Sequence, residues 1–230
     1  MIDLHSHILP GIDDGSPDVA TTAKMLEEMA DQGVEYRVAT PHFYARRDNP
    51  EEFLARRNAA LESLQRQPGA LPKIYLGAEI AFFDNIGRSD LPEKLQIGNT
   101  GLVLIEMPFK PWTQAMIRQI CDFQMQSGLV PVLAHVERYR GSQQMKKYNE
   151  ELLNCGVLFQ CNAEAFLQMR TRGWALKMLR QGKVHFLGTD SHNLTTRKPN
   201  LLEAVQMIRK KLGDEAVEYL MDFSAAMLKL

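Results

Sequence analysis

The first seven residues of the chain contain two histidines whose spacing suits metal chemistry. In an extended strand, side chains two positions apart point to the same side, so His5 and His7 face one way. Neutral imidazole is a common ligand of divalent metal ions, and two imidazoles on one side of a strand form half of a metal site. Taken alone, the pair is also compatible with two solvated histidines near the start of the chain, so the other polar residues have to decide.

Further candidate ligands come directly after short apolar segments that we predict to be strands. These residues are His42, Glu79, Glu106, His135, Asp190 and His192. Asp14, in the turn-rich loop that follows His7, is one more candidate, with Asp13 as the alternative. His185 differs from this set because it lies early in its predicted strand, and we interpret it as a structural residue.

The elements that must position these residues are predicted as strands alternating with helices. Strands are expected at the start of the chain and at 35–40, 73–78, 101–105, 130–134, 157–160 and 184–188. Helices are expected at about 19–32, 50–66, 112–127, 143–154, 173–181, 200–211 and 214–221. Residues 82–100 show no clear helical periodicity and are predicted to be an inserted hairpin or loop. The alternation indicates an α/β fold with a parallel sheet and right-handed crossovers.

Seven strands without a Gly-x-Gly-x-x-Gly dinucleotide loop favour a (β/α) barrel over a doubly wound sheet. In a barrel the carboxyl ends of all the strands meet at one mouth, where active sites lie. Five of the six histidines and three acids would then converge, at a cost in free energy that bound metal ions would offset. Eight ligands, or nine with Asp14, are too many for one metal ion, so we expect two or three ions. Oxygen and nitrogen donors without thiolate suit Mn, Fe, Zn or Mg.

The composition argues against several other classes of protein. The net charge is −1, so the overall charge does not argue for nucleic acid or for an anionic membrane as a partner. No apolar run reaches the roughly 18 residues of a membrane span, and no signal-peptide pattern is present. The 230 residues are expected to form one domain, residues 1–230, in the cytoplasm. Cys121, Cys155 and Cys161 show no disulfide or metal-site pattern and are predicted to be reduced core residues.

Several short motifs together resemble the polymerase and histidinol phosphatase (PHP) superfamily. They are Asp3-Leu4-His5-Ser6-His7, Asp13-Asp14-Gly15, Thr40-Pro41-His42, Gly77-Ala78-Glu79, Glu106, Ala134-His135-Val136-Glu137-Arg138-Tyr139 and Asp190-Ser191-His192-Asn193. More closely, the chain resembles the bacterial manganese-dependent protein tyrosine phosphatases encoded with capsule or exopolysaccharide synthesis. The resemblance runs from residue 2 to about residue 200, and residues 135–139 are its most specific part.

The resemblance implies a distorted (β/α)7, TIM-like barrel of PHP type with three metal ions, of which Mn²⁺ is expected and Fe, Zn or Mg are alternatives. It implies a phosphomonoester hydrolase that acts on the phosphorylated, Tyr-rich tail of a membrane tyrosine autokinase. No nucleic-acid partner and no insertion of this chain into the membrane are expected. It also implies that Arg138 and Arg197 bind the substrate phosphate, with which guanidinium groups pair bidentately.

The same residues suggest a mechanism. Metal ions lower the pKa of a bridging water toward neutrality, so the resulting hydroxide could attack phosphorus without a phosphoenzyme. A phenol leaving group, whose pKa is about 10, makes a strong general acid less necessary, and the sequence assigns none. An aromatic rim suited to a phenyl ring is predicted at Phe43 and Tyr44, with Phe82 and Phe83 as further candidates.

Three other functions fit the sequence less well. A cysteine-dependent phosphatase needs an arginine six residues after its cysteine, and none of the three cysteines has one. A phosphatase of small molecules such as histidinol phosphate would need a spare acid to meet the substrate ammonium, for which Glu137 and Glu164 are the candidates. A metal-bound regulatory protein without turnover would not need the complete ligand set found here.

Overall fold

Every strand pairing in the computed structural model, which describes residues 1–66 and 73–230, is parallel. The strands in this part of the chain are β1 (Ile2–Ser6), β2 (Tyr36–Ala39), β3 (His42–Phe43), β4 (Lys73–Leu76), β5 (Glu79–Ala81), β6 (Leu102–Glu106), β7 (Val130–Leu133), β8 (Leu158–Asn162) and β9 (Phe186–Gly188). Hydrogen bonds join them in the orders β1-β2-β4 and β3-β5-β6-β7-β8-β9. Because β3 continues β2 and β5 continues β4, these segments amount to seven strands in one ring.

The ring closes between β9 and β1. Ser6 forms a parallel bridge with Ser191, and the His7 amide donates a hydrogen bond to the Ser191 carbonyl at 2.9 Å. The fully buried Asp3 carboxylate accepts hydrogen bonds from the amide and the hydroxyl of Thr189, at 2.8 and 2.6 Å. Burial raises the pKa of Asp3 to about 6. The predicted α/β barrel with seven parallel strands is confirmed, and Asp3, for which the sequence analysis gave no role, helps to close it.

Helices connect the strands. In the described part of the chain they are α1 (Val19–Asp31), α2 (Pro50–Gln65), α3 (Leu91–Leu95), α4 (Gln114–Cys121), α5 (Phe123–Ser127), α6 (Gln143–Asn154), α7 (Ala163–Leu167), α8 (Met169–Arg180), α9 (Leu201–Leu212) and α10 (Asp214–Leu228). Asp18 caps α1 by accepting a hydrogen bond from the Thr21 amide at 2.7 Å. Within residues 1–66 and 73–230, no helix combines the length and the apolar composition that crossing a bilayer requires.

An apolar cluster fills the barrel beneath the mouth. It joins side chains from strands on all sides of the ring, among them Leu4, Val38, Leu104, Val132 and Phe186. Each of these is 0% exposed, and burying one such side chain contributes roughly 1.5–3 kcal/mol to folding. A second and larger cluster packs the outer faces of the strands against the helices. The strand ends that carry the polar residues are therefore held by packed apolar layers.

The segment at 82–100 differs from its prediction. It contains no hairpin but a short 3-10 helix, Ile86–Arg88, followed by α3. Gly87 packs so closely on α5 that an added Cβ would lie 3.1 Å from the Phe123 Cα. The helix predicted at 112–127 is divided at Asp122 into α4 and α5. Such short turns carry too few residues for a helical periodicity to show in the sequence.

The cysteines also differ from their prediction. Cys121, at the end of α4, and Cys155, just after α6, are joined in a disulfide, with their Cα atoms 5.2 Å apart. The prediction that all three cysteines are reduced was therefore wrong for these two, whereas Cys161 is a free, buried thiol as expected. The contact comes from the packing of α4 against α6, which no spacing of cysteines in the sequence indicates.

His185 lies in the barrel wall, away from the predicted ligands, in keeping with its interpretation as a structural residue. Its Nδ1 accepts a hydrogen bond from the Phe159 amide at 2.9 Å, and its ring lies 5.6 Å from that of Phe223. Burial lowers the pKa of His185 to about 4 from its ordinary value of 6.5. The imidazole is therefore neutral in the folded protein at pH values where it is protonated in the unfolded chain.

This difference predicts a loss of stability in acid. Between pH 6.5 and pH 4 the unfolded chain binds a proton at His185 that the folded protein does not, so the free energy of unfolding falls as the pH falls. His185→Asn keeps an acceptor for the Phe159 amide but does not titrate. We expect the wild type to lose more stability than the variant between pH 7 and pH 5, measured by urea denaturation. Equal losses in the two proteins would show that His185 does not contribute.

Candidate metal centre

The strand ends bring the predicted ligands together. Three groups of ligand atoms lie close enough for each to share an ion, namely His7–Asp14–His42–His192, His5–His7–Asp190 and His42–Glu79–Glu106. The remaining predicted ligand, His135, joins the third group, because its Nε2 lies 2.8 Å from Glu79 Oε1 and 3.3 Å from Glu106 Oε1. All nine residues chosen from the sequence thus belong to one connected cluster.

The two N-terminal histidines are placed as a pair of ligands would be. Both are 0% exposed, and their Nε2 atoms are 3.1 Å apart. Two nitrogens at about 2.1 Å from one ion lie roughly 3.0–3.4 Å apart, so the observed separation fits a shared ion. Gln160 Oε1 lies 3.1 Å from His5 Nδ1, and Asp13 Oδ2 lies 2.7 Å from His7 Nδ1. An acceptor at Nδ1 holds the proton there and leaves Nε2 free to ligate.

Glu79 is the hub of the cluster. Its side chain is 1% exposed, and Oε2 lies 3.4 Å from His5 Nε2, 3.3 Å from His7 Nε2 and 3.0 Å from His42 Nδ1. Burial by itself would raise the pKa of Glu79, but His5 and the hydrogen bonds from His135 and His42 hold it well below its usual range. The carboxylate is thus an anion among four imidazoles, well placed to bridge two ions.

Asp13 and Asp14 have different places in the structure. Asp13 is buried against His7, and it also accepts a hydrogen bond from the His42 amide at 3.0 Å. Burial opposes its ionisation, but the hydrogen bond from His7 lowers the pKa of Asp13 to about 2. Asp14 is 66% exposed, and its Oδ1 lies 3.5 Å from His42 Nε2 and 3.6 Å from His192 Nε2. Asp14 therefore faces the cluster, as chosen from the sequence, whereas Asp13 orients His7 from behind.

His192 gives independent support for a metal site. Its Nε2 is buried and has no hydrogen-bond partner among the residues that the structure describes. Burial lowers the pKa of His192 to about 4, so the imidazole is neutral at pH 7, which is the form that ligates metal. An unpaired polar atom costs free energy in a protein interior, so this nitrogen fits a place beside an ion.

Asp190 joins the cluster to two arginines. Its Oδ1 lies 3.4 Å from His7 Nε2 and 2.7 Å from Arg197 Nη2, and Arg138 pairs with Oδ2. Burial would raise the pKa of Asp190, but the nearby His5 and His7 lower it well below the usual range. Arg138 and Arg197 therefore lie at the edge of the candidate metal site, where the resemblance placed them, and each is about one-third exposed.

Two residues of the cluster hold unusual backbone conformations. His135, which follows β7, has φ 35°, and Asp190, which follows β9, has φ 52°. Residues other than glycine rarely adopt the left-handed region, and such strain is concentrated at functional sites. At His135 the turn leads into the 3-10 helix Val136–Tyr139, which carries Arg138. The strain therefore places a candidate ligand and an arginine on one short turn.

The predicted aromatic rim is only partly correct. Phe43 is 0% exposed and packs edge-to-face on Phe53, with ring centroids 5.1 Å apart, so it does not reach the mouth. Its neighbour His42 points into the cluster, and successive residues of a strand point to opposite sides. Tyr44 does lie at the mouth, with its ring 5.5 Å from that of His42. Phe82 and Phe83 help Tyr44 to line an adjacent cavity of about 270 Å³.

Phe109 is an aromatic residue at the mouth of the barrel that was not predicted from the sequence. It is 65% exposed and stacks on His135, with centroids 5.9 Å apart and planes inclined at 20°. The Arg138 guanidinium lies 5.9 Å from the centre of the same ring. Phe109 sits between Pro108 and Pro111 in a loop without periodicity, so the only signal was its nearness in sequence to Glu106. Gln160 was missed because it lies within a predicted strand rather than after it.

The donor set fits divalent ions that prefer oxygen and nitrogen. Five imidazoles and four carboxylates face one another, and none of the nine residues is a cysteine. In the protein without metal, hydrogen bonds and charge from Asp13 and Glu79 overcome burial and raise the pKa of His7 to about 10. A metal ion that takes this nitrogen would displace its proton. Together with the two arginines, the cluster could hold ions and an anionic substrate side by side.

Comparison with known proteins gives matches along nearly the whole chain. A family model described as capsular polysaccharide synthesis, CpsB/CapC, matches residues 1–229. The tyrosine-protein phosphatase CpsB of Streptococcus agalactiae serotype V (strain ATCC BAA-611 / 2603 V/R) is 30% identical over 238 residues, covering 96% of this chain and 94% of the relative. The tyrosine-protein phosphatase YwqE of Bacillus subtilis (strain 168) is 28% identical over 234 residues, covering 99% and 91%.

A solved structure gives the same result. It belongs to a set of crystal structures of YwqE from Bacillus subtilis and CpsB from Streptococcus pneumoniae, which are described as unique metal-dependent tyrosine phosphatases. It superposes with a TM-score of 0.86 at 25% identity, covering 100% of this chain and 94% of the other. The resemblance that the motifs indicated is confirmed.

The hub position of Glu79 predicts the metal content. We expect the wild type to bind two or three Mn²⁺ per chain in calorimetric titration after chelator treatment. Glu79→Gln should lose at least one equivalent or bind roughly tenfold or more weakly, because it removes the charge shared by four imidazoles. Glu62→Gln, a 61% exposed acid of α2, is the matched control and should titrate like the wild type. Unchanged binding by Glu79→Gln would remove this carboxylate from the site.

Proposed function

Because the chain belongs to the CpsB/CapC family of capsular polysaccharide synthesis proteins, we propose that it is a metal-dependent protein tyrosine phosphatase acting in capsule regulation. The observation that carries the proposal is the convergence of nine metal-type ligands beside two arginines at one mouth of the barrel. We take residues 1–230 as a single PHP-type barrel domain. The native metal is proposed to be Mn²⁺, in two or three positions, a number supported by the three ligand groups.

The arginines prepare the phosphate site. Divalent ions, when bound, activate water as a nucleophile and neutralise phosphate oxygens. Arg138 and Arg197 both pair with Asp190 from the side of the mouth, and both are partly exposed. A phosphate oxygen that reached them would find two guanidiniums already fixed in place, which lowers the cost of ordering them on binding. Arg138 and Arg197 thus bind and orient the substrate phosphate.

The walls of the mouth suit an aromatic leaving group. Phe109 stands over His135 on one side, and Tyr44 stands beside His42 on another. A phenyl ring attached to the phosphate could pack between these two rings in offset or edge contacts. A serine or threonine phosphate is too short to use both the aromatic contacts and the metal centre. This arrangement supports phosphotyrosine in a protein chain as the substrate.

We propose further that the substrate is the phosphorylated tail of a membrane tyrosine autokinase, met in the cytoplasm. The family supports a role in capsular polysaccharide synthesis, and the similarity to tyrosine-protein phosphatases supports a phosphotyrosine substrate in that pathway. Histidinol phosphate, the small-molecule alternative, fits less well because its ammonium group needs a free acid. Glu137 is 6% exposed and accepts a hydrogen bond from the Asn162 amide, and Glu164 accepts hydrogen bonds from Gln168 and Asn200.

The decisive experiment compares substrates at equal Mn²⁺. We expect kcat/KM to be highest for a phosphotyrosine peptide, lower for the same peptide with phosphoserine and lower for histidinol phosphate, because only phosphotyrosine offers both a ring and a good leaving group. Chelation should abolish turnover and Mn²⁺ should restore it, whereas iodoacetamide should have little effect. A tenfold advantage for histidinol phosphate, or activity that survives chelation but not alkylation, would overturn the proposal.

Phe109 gives a second prediction. Phe109→Ala should raise KM for a phosphotyrosine peptide by roughly two- to tenfold, the equivalent of one lost aromatic contact, and should change the phosphoserine reaction less. Phe109→Tyr should restore most of the loss. Met125→Ala, which truncates another exposed apolar side chain on α5, is the control and should behave like the wild type. If Phe109→Ala raises KM equally for both peptides, the Phe109 ring does not distinguish phosphotyrosine from phosphoserine.

A further inference from the structure

A second cavity, of about 530 Å³, opens directly beside the arginines of the metal centre. It shares Arg138, Asp190 and Arg197 with that centre and extends from them toward the first turns of α7 and α8. Its basic lining residues are Arg138, Arg140, Arg170, Arg197 and Lys198. The chain as a whole has a net charge of −1, so this concentration of positive charge is local.

The acids of the cavity are already engaged. Asp190 pairs with Arg138 and Arg197 and faces the metal ligands. Glu137 is buried and holds the Asn162 amide at 3.2 Å. The third acid, Glu164, accepts hydrogen bonds from Gln168 Nε2 at 3.0 Å and from Asn200 Nδ2 at 2.7 Å. The cavity therefore has three acids against five bases, and one of the bases, Lys198, pairs with Glu203 outside the cavity at 3.3 Å. Asp190 would also share its charge with any metal ion.

Arg140 and Arg170 contribute charge that is not compensated within the part of the chain that the structure describes. Arg140 Nη1 donates a hydrogen bond to the Glu137 carbonyl at 2.8 Å and forms no ion pair with a carboxylate. Arg170, in the first turn of α8, forms no ion pair either. The substrate phosphate is assigned to Arg138 and Arg197, so these other two guanidiniums are left for a different anion.

We propose that this cavity is a subsite for an anionic side chain, a carboxylate or a phosphomonoester, on a residue that flanks the phosphotyrosine being hydrolysed. The inference rests on the proposed function, since the peptide must first place its phosphotyrosine at the metal centre. An extended peptide advances about 3.3 Å per residue, so an anion within three positions of the phosphotyrosine can enter a cavity that begins at Arg138. Guanidiniums favour both carboxylate and phosphate through bidentate hydrogen bonds.

The shape of the surface favours a side chain over other anions. The five bases line one recessed cavity rather than a long stripe, which is the pattern expected for a single anionic group and not for a nucleic acid backbone. The cavity is also continuous with the phosphate site through its shared arginines. The subsite therefore binds an anionic side chain close to the phosphotyrosine. It gives the enzyme a preference for acidic or multiply phosphorylated segments.

The test uses a set of peptides with one phosphotyrosine. The reference peptide has neutral neighbours, and the others carry one glutamate or one additional phosphotyrosine at a single position within three residues on either side. The proteins are the Mn²⁺-loaded wild type, the double variant Arg140→Gln/Arg170→Gln and the control Arg180→Gln. Arg180 lies ten residues further along α8 from Arg170, about 15 Å away along the helix, and is likewise exposed.

The measured quantity is the ratio of kcat/KM for each anionic peptide to that for the neutral one. We expect the ratio at the best position to be roughly three- to tenfold in the wild type and in Arg180→Gln, chiefly through KM, as one hydrogen bond of ordinary strength at an exposed site would give. In the double variant it should fall close to one. The glutamate and phosphotyrosine series show which anion fits better.

Two results would overturn the subsite. One is a wild-type ratio near one at every position, and the other is an elevated ratio that the double variant retains. In both cases the neutral phosphotyrosine peptide is still hydrolysed, so the proposed function stands. Failure of the wild type to hydrolyse even that peptide would overturn the proposed function and the subsite together.

Discussion

The structure depends on the compensation of one buried carboxylate. Glu79 is 1% exposed and surrounded by imidazoles, and an isolated anion in such a place would cost many kcal/mol. The four histidines that meet it come from three different strands of the ring, since His5 and His7 both belong to β1 or directly follow it, so the charge is stable only when the barrel is closed. Metal ions would take over this compensation and release the protons that the histidines hold. Folding, metal binding and chemistry therefore share the same small set of contacts.

A second buried carboxylate, Asp3, helps to close the ring. Asp3 stands two residues before His5 and ties β1 to the residues after β9 through Thr189. Removing this carboxylate would leave buried donors unpaired, at a cost of about 1–3 kcal/mol for each. The start of the chain thus contributes two candidate ligands, His5 and His7, and a carboxylate, Asp3, that holds them opposite Asp190. Arg138 and Arg197 then both pair with Asp190, which links the candidate metal centre to the basic side of the mouth.

The sequence could indicate most of the candidate cluster because nearly all of its residues lie at or just after the end of a strand, and parallel strands end on one side of a barrel. The choice between Asp13 and Asp14 needed coordinates, since the direction of a loop side chain cannot be read from its neighbours. Phe43 was predicted wrongly although its strand position contains the answer: with His42 facing the mouth, the next residue must face the helices. Phe109 and the pairing of Cys121 with Cys155 depend on loop conformation and helix packing, which leave no periodic signal.

The left-handed backbone at His135 and Asp190 affects how the site should be dissected in the laboratory. Alanine scanning would remove a ligand and at the same time replace a residue in a conformation that alanine tolerates poorly, so a lost activity would have two causes. Asparagine and aspartate enter this region more readily than most residues. Asp190→Asn and His135→Asn are therefore the cleaner probes, and a paired Ala/Asn comparison at each position would separate the loss of a ligand from the relaxation of the turn.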